Sequence, residues 1–422
     1  MGGFMLSTTL PVHDVAILRD LARQYTEVIA DPVQQEKIEL WKALNRMEPV
    51  RPMVRLSNSA WDQTLPESAY VCTDEFCREQ ERFFRWHLWM WRNLKDDFVF
   101  DDAVYVPVVM RTGSWGVEID AVRPDHTFGA AHFEPVIRTE ADIEKLHIPT
   151  VEVDWDQTQR DYERVAGLYE GLLPVKTRGV PGFWFAIFDH YIQWRGLGQA
   201  FMDMVDRPEW LHRVLSLMTE GSLSNLESLE AAGALALNNG ANGTQGVGPG
   251  GLAFTDELPQ PGFDGVHVRP RDMWGHATTQ IFADVSPAMH EEFALQYEGR
   301  YLERFGLASY GCCEPLHRKV DLVFKHIPHL RRLSMSPWVD VAQGAEALGR
   351  RAIFSYKPNP ALMAGETWDR EHVRAGLREV LDKTRGCVVE IIMKDLHSCH
   401  NEPQRMTEWV EVAMDLVASG EW

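Results

Sequence analysis

Residues 388–400 read VVEIIMKDLHSCH, and the fold can be argued outward from this stretch. Positions 388–393 form the clearest of eight short apolar runs, and polar, ionisable and thiol residues follow at once: Lys394, Asp395, His397, Cys399 and His400. The other runs occupy 53–56, 98–106, 172–180, 234–238, 307–310, 330–335 and 352–356. Between them lie helical patterns at 76–94, 210–229, 289–305, 369–381 and 404–417. This alternation is the mark of βα units on a parallel sheet. Eight strands with helical crossovers predict an α/β chain folded as a (β/α)8 TIM barrel. The competing open, doubly wound sheet would carry a glycine-rich phosphate fingerprint after an early strand, and none is present.

Ahead of the first strand, Val15, Leu18, Leu21, Ile38, Leu40 and Leu44 recur at helical spacing. The expected organisation is therefore an N-terminal helical segment, 1–47, followed by the barrel, 48–422. Two stretches break the rhythm. Residues 108–150 read as a β-hairpin excursion inserted after strand two. Residues 239–270 form a Gly- and Pro-rich loop of a length that is usually functional or mobile. That loop is not a nucleotide cradle, because no Lys-Ser or Lys-Thr follows its glycines.

Composition narrows the partners. The 422 residues carry 42 Lys and Arg against 62 Asp and Glu, a formal net charge of −20. No basic cluster suits a polyanion, so nucleic acid is not expected. No apolar run is long enough to span a bilayer, and MGGFMLSTTLPVHD lacks the charge-then-apolar layout of a secretory signal. A cytoplasmic protein is the expectation. Six cysteines, at 72, 77, 312, 313, 387 and 399, are too few and too scattered for a disulfide framework. They are core filler, metal ligands or nucleophiles.

In a parallel barrel the chemistry collects at the C-terminal ends of the strands, where the βα loops converge. The fourth run ends in Asn238 and Asn239, and the fifth in Tyr310-Gly-Cys312-Cys313-Glu314. The sixth leads to Trp338 and Asp340, the seventh to Lys357 and Asn359, and the eighth to Lys394, Asp395, His397, Cys399 and His400. Thiolate and imidazole together suit Zn²⁺, and a catalytic zinc site uses three such ligands with a fourth position open. On the barrel reading, Cys312, Cys313 and Glu314 face His397, Cys399 and His400. The alternative is that both adjacent cysteines are small core fillers and that the histidines cap a helix or face solvent. Cys72 and Cys77 read as packed helix residues and Cys387 as core. His190, Asp101 and Asp102 are further acid or base candidates, each also readable as structural. Trp61, Trp115, Trp184 and Trp338 either line a site mouth or pack.

The order of these features resembles the uroporphyrinogen decarboxylase superfamily: a helical N-terminal segment, a thiol-bearing loop after strand five, an Asp near a Trp after strand six, an Asn-Pro turn after strand seven and a polar loop after strand eight. The resemblance covers most of the chain from about residue 50 and is closest to the corrinoid-dependent methyltransferase branch. It implies a zinc-dependent methyltransferase that moves a methyl group between a small methylated compound, such as a methyl ether, and a corrinoid carried by a partner protein. That branch pairs His-x-Cys after strand five with a later Cys, which match Cys312 and Cys399. Tyr310 stands at the histidine position, so Cys313, Glu314 or His397 would complete the ligand set. Within the resemblance, Asp395, Lys394 and Glu314 take catalytic or orienting roles. Asn238, Asn239, Trp338, Arg178 and Lys357 bind substrate, and a homodimer is compatible with the pattern. The decarboxylase branch implies instead a metal-independent decarboxylase or lyase using Arg51, Arg55, Arg178 and Asp101 or Asp102. A corrinoid- or tetrapyrrole-binding module without turnover is the third expectation.

Overall fold

The structure, a computed structural model, describes residues 10–122, 132–420 and 422. It is an α/β fold built on a curled parallel sheet of six strands. Their order is Met53–Asn58, Val388–Leu396, Ile353–Tyr356, Leu330–Met335, Leu307–Tyr310 and Trp274–Ala277. The strand Val388–Leu396, flanked by Met53–Asn58 and Ile353–Tyr356, is buried at every position except Asp395, as expected of a parallel strand covered on both faces.

Beside this sheet, Val104–Pro107 pairs in parallel with Val175–Arg178, and a single parallel bridge joins Val180 to Leu235. Three corrections to the expected strands follow. The runs at 98–106 and 172–180 yield only these two four-residue strands, and 234–238 yields only the bridge. A strand that the run analysis passed over, Trp274–Ala277, takes the place next to Leu307–Tyr310. Among the described residues, backbone pairing does not close an eight-stranded ring.

Side chains occupy both breaks. The carboxylates of Asp97 and Asp96 accept the Val54 and Leu56 N–H groups, each at 2.8 Å, on the edge of Met53–Asn58 that faces away from Val388–Leu396. On the other side, the Asn238 amide donates to the Trp274 carbonyl at 3.0 Å and accepts from the Trp274 N–H at 2.9 Å. Buried sheet edges must find partners, and here short polar side chains supply some of them, beside the Asp97 N–H on the Val54 carbonyl at 2.9 Å and a parallel bridge from Phe185 to Ala277. Prolines at 107, 174 and 181 surround the short pair and remove ladder donors there.

The helices Val12–Ile29 and Glu75–Asn93 pack together with Trp155–Tyr169 around Tyr25, Phe84 and Tyr169, a second apolar cluster beside the main core. Asp74 caps Glu75–Asn93 by accepting from the Cys77 N–H at 3.1 Å. In the helix Val33–Asn45, Trp41 donates to the Asp97 carbonyl at 2.8 Å. The excursion contains two antiparallel pairs, Met110–Thr112 with Val151–Val153 and Asp120–Val122 with His132–Glu134. The glycine-rich loop turns inward: the Gly251 N–H donates to Glu390 at 3.0 Å, and a Cβ there would lie 2.3 Å from the Trp41 ring. No helix among the described residues is long and apolar enough to cross a membrane.

Candidate functional site

Strand Leu307–Tyr310 runs out into Gly311, whose φ of 89° and close approach to Leu316 admit only glycine comfortably. The turn presents Cys312, buried, and Cys313, half-buried, with their sulfurs 3.5 Å apart. From the end of Val388–Leu396, Lys394 places Nζ 3.5 Å from Cys312 Sγ and 3.6 Å from Cys313 Sγ, and pairs on its other side with Asp395. Donation from Cys312 and the Lys394 charge bring Cys313 down to about 7, against the opposing effect of burial. Cys312 moves the opposite way, because it shares its proton with Cys313 and is desolvated. Burial works against the Lys394 ammonium, but the neighbouring sulfurs and Asp395 outweigh it and hold the lysine above its ordinary range. The result is a thiolate beside a fixed cation near neutral pH.

Glu314 is fully buried at the base of the turn. It accepts the Cys312 N–H at 2.9 Å and the Thr278 hydroxyl at 3.0 and 3.2 Å, so it braces the turn rather than meeting a substrate.

The expected zinc set is not assembled. Cys399 is buried against Gln63, with Sγ 3.2 Å and its N–H 2.8 Å from Gln63 Oε1. His397 and His400 are exposed. Among the described residues no three His, Cys, Asp or Glu side chains are grouped to hold a metal ion. Two sulfurs already balanced by an ammonium do not fit the three-ligand site that catalytic zinc requires. The convergence of Cys312 with Cys399 and His397 is thus corrected: the group that meets the thiols is Lys394.

Next to the thiols the sheet interior carries a polar layer. Lys357, buried, donates to the Ser355 carbonyl at 3.2 Å and to its hydroxyl, and that hydroxyl donates to Glu390. Glu390 lies 3.0 Å from Arg332 Nε, both fully buried. Burial brings Lys357 down to about 7, with Lys394 and Arg332 adding to the effect against the pull of Glu390. His276 is buried with Nδ1 3.4 Å from the Ser309 hydroxyl, and burial lowers it to about 3, so it is neutral. Its Nε2 has no hydrogen-bond partner, nor have Arg55 Nε and Arg178 Nη1. Arg178 lies over the Tyr105 ring at 4.7 Å. Asp101 accepts from the Thr244 N–H, and burial raises its carboxyl. Asp102 is exposed and pairs with Lys176 at 3.3 Å.

Behind the thiol turn is a buried chain. Lys319 Nζ lies 2.9 Å from His290 Nδ1, His290 Nε2 lies 2.7 Å from the Tyr310 hydroxyl, and that hydroxyl donates to Glu298 at 2.6 Å. Burial raises Glu298 to about 8 and nearby Asp189 to about 7. Tyr310, at the position where the resemblance implies a histidine ligand, is committed to this chain.

Other expected site residues serve the scaffold. Asn238 completes the sheet edge, and Asn239 donates to the Leu258 carbonyl at 2.5 Å. Trp338 is 68% exposed. Arg51 makes a bidentate pair with Asp97 at 2.6 and 2.8 Å. Trp61 stacks on Trp86 at 4.6 Å, and Trp184 lies 4.7 Å from the His276 ring. Asp96 and Asp97 are buried. His276, Glu298 and Glu390 were missed. The first stands in the overlooked strand, and a lone Glu inside an apolar run was the available signal for Glu390.

No protein-family model matches the chain, and no curated protein matches it. Among solved structures it is similar to a methyltransferase from Methanosarcina mazei, at 12% identity over 90% of this chain and 98% of that one, with a TM-score of 0.49. A likeness at that level carries no argument about activity.

Proposed function

We propose that the chain is a methyltransferase whose nucleophile is the Cys313 thiolate, acting on a small methylated compound at the strand C-termini of a (β/α)8-type fold. The observation that carries this reading is the Lys394 ammonium, 3.5 and 3.6 Å from two adjacent sulfurs. It supplies the positive charge that a metal would otherwise provide, and a soft thiolate suits a methyl carbon. Sulfur attacks that carbon, the S–C bond forms as the carbon–oxygen bond breaks, and the leaving oxygen takes a proton from a lysine. Lys357, titrating near neutrality, is the group suited to give it. A corrinoid protein, the partner that the resemblance implies, would supply the nucleophile needed to take the methyl group off Cys313 and return the thiolate.

The test uses a panel of methyl-labelled ethers, amines and thiols with free reduced cobalamin, read as label on cobalamin. Transfer is expected in wild type with or without chelator, and at least about a hundredfold less in Cys313→Ser. Transfer that survives in Cys313→Ser, or that stops with chelator, overturns the proposal.

A metal-independent decarboxylase or lyase is the second reading, favoured by one observation: the buried atoms Arg55 Nε and Arg178 Nη1 have no hydrogen-bond partner, and Arg178 lies near a desolvated Asp101. Carbon dioxide release that is lost in Arg55→Ala and kept in Cys313→Ser would put it first.

A further inference from the structure

We propose that Cys312 and Cys313 form a redox modification site, in which hydrogen peroxide oxidises Cys313 and Cys312 then closes a vicinal disulfide that silences the thiol cluster. The inference rests on the proposed function only in using the same Cys313 sulfur, and its readout is mass rather than turnover.

The geometry favours this pair among the six cysteines. The two sulfurs are 3.5 Å apart on neighbouring residues; a disulfide needs about 2.05 Å, so closure brings them about 1.5 Å closer and also turns the 312–313 backbone and side chains, because neighbouring Cα atoms about 3.8 Å apart are nearer than the usual disulfide span. Gly311, at φ 89°, lies directly before the turn and gives the backbone room to adjust. Cys313 is the more accessible sulfur and Cys312 the buried one, which suits a first target followed by a resolving partner. Lys394 reaches both sulfurs, and its ammonium can hold the oxyanion leaving from peroxide. The remaining cysteines lack this arrangement. Cys399 is bonded to Gln63, Cys387 faces the Ala345 carbonyl at 3.7 Å, and Cys72 and Cys77 are buried near carboxylates.

The steps balance. The Cys313 thiolate attacks one peroxide oxygen, an S–O bond forms, the O–O bond breaks, and hydroxide departs and takes up a proton. Cys312 sulfur then attacks Cys313 sulfur, the S–S bond forms, the S–O bond breaks, and the hydroxyl leaves as water with the Cys312 proton. Two electrons pass from the dithiol to the peroxide, which becomes two waters.

The experiment treats the full chain with hydrogen peroxide, then blocks free thiols and maps peptides by mass. Wild type should lose about 2 Da in the peptide holding residues 312 and 313, reversibly with dithiothreitol. Cys312→Ser should instead trap a dimedone-reactive sulfenic acid at Cys313, and Cys313→Ser should leave Cys312 reduced. Lys394→Met, which keeps both sulfurs, should slow the oxidation about tenfold. Absence of the 312–313 disulfide in wild type, its formation at an undiminished rate in Lys394→Met, or oxidation directed first to another cysteine overturns the inference. A failed methyl-transfer assay with the disulfide present would sink the proposed function alone.

Discussion

Two cysteine pairs in this chain meet opposite electrostatic surroundings. Cys72 and Cys77 lie at the entry to the helix Glu75–Asn93, buried, with Glu81, Asp14 and Asp74 as their charged neighbours. Burial and those carboxylates push Cys77 up to about 12 and Cys72 in the same direction. Cys312 and Cys313 are also desolvated, yet they share a proton with each other and face the Lys394 ammonium, so the first proton leaves near neutrality. Burial alone makes a thiol inert. The hydrogen bond donated by Cys312, together with the Lys394 charge, decides which buried sulfur becomes the nucleophile: Cys312 lies as close to Lys394 and is nevertheless held protonated.

The largest expected effect is the contrast itself. At pH 7 iodoacetamide should label Cys313 more than about a thousandfold faster than Cys72 or Cys77 in the native protein. Because the thiolate is the reactive form, the Cys313 rate should climb as pH rises through about 7 and level off above it. Comparable rates at the two pairs, read by peptide mass, would break the comparison. Next in size, Lys394→Met should cut Cys313 labelling at pH 7 about tenfold and move its midpoint upward. An unmoved midpoint would show that sharing with Cys312 suffices. The smallest effect belongs to Asp395→Asn. Asp395 opposes the Cys313 charge from an exposed position, so its neutralisation should lower the midpoint by about 0.3 pH, resolvable in a stopped-flow titration.

Much of the architecture was legible along the chain. The run at 388–393 lies in the strand Val388–Leu396, paired on both sides, and 307–310 and 330–335 are strands with those bounds. The N-terminal helical pattern is two helices, Val12–Ile29 and Val33–Asn45. The ring closure was not legible, because Asp96, Asp97 and Asn238 complete sheet edges with side chains, and no periodicity marks a side chain that imitates a strand. Trp274–Ala277 escaped because a strand of four residues containing Gly275 and His276 breaks the apolar run. At the site, the strand-end rule found Cys312, Cys313 and Lys394. It could not tell which partner the sulfurs meet, since Cys399 and Lys394 follow the same strand and only their places in the turn separate them.

By itself the sequence determined the alternation of strand and helix, the acidic surface and the loops on which chemistry collects, because period and net charge are local or additive properties. Tertiary structure alone decided that the Lys394 ammonium meets the thiols, and that Tyr310 joins Glu298 and His290. Those outcomes depend on separations of a few ångströms between residues far apart in the chain, over which electrostatic energies change by whole pKa units.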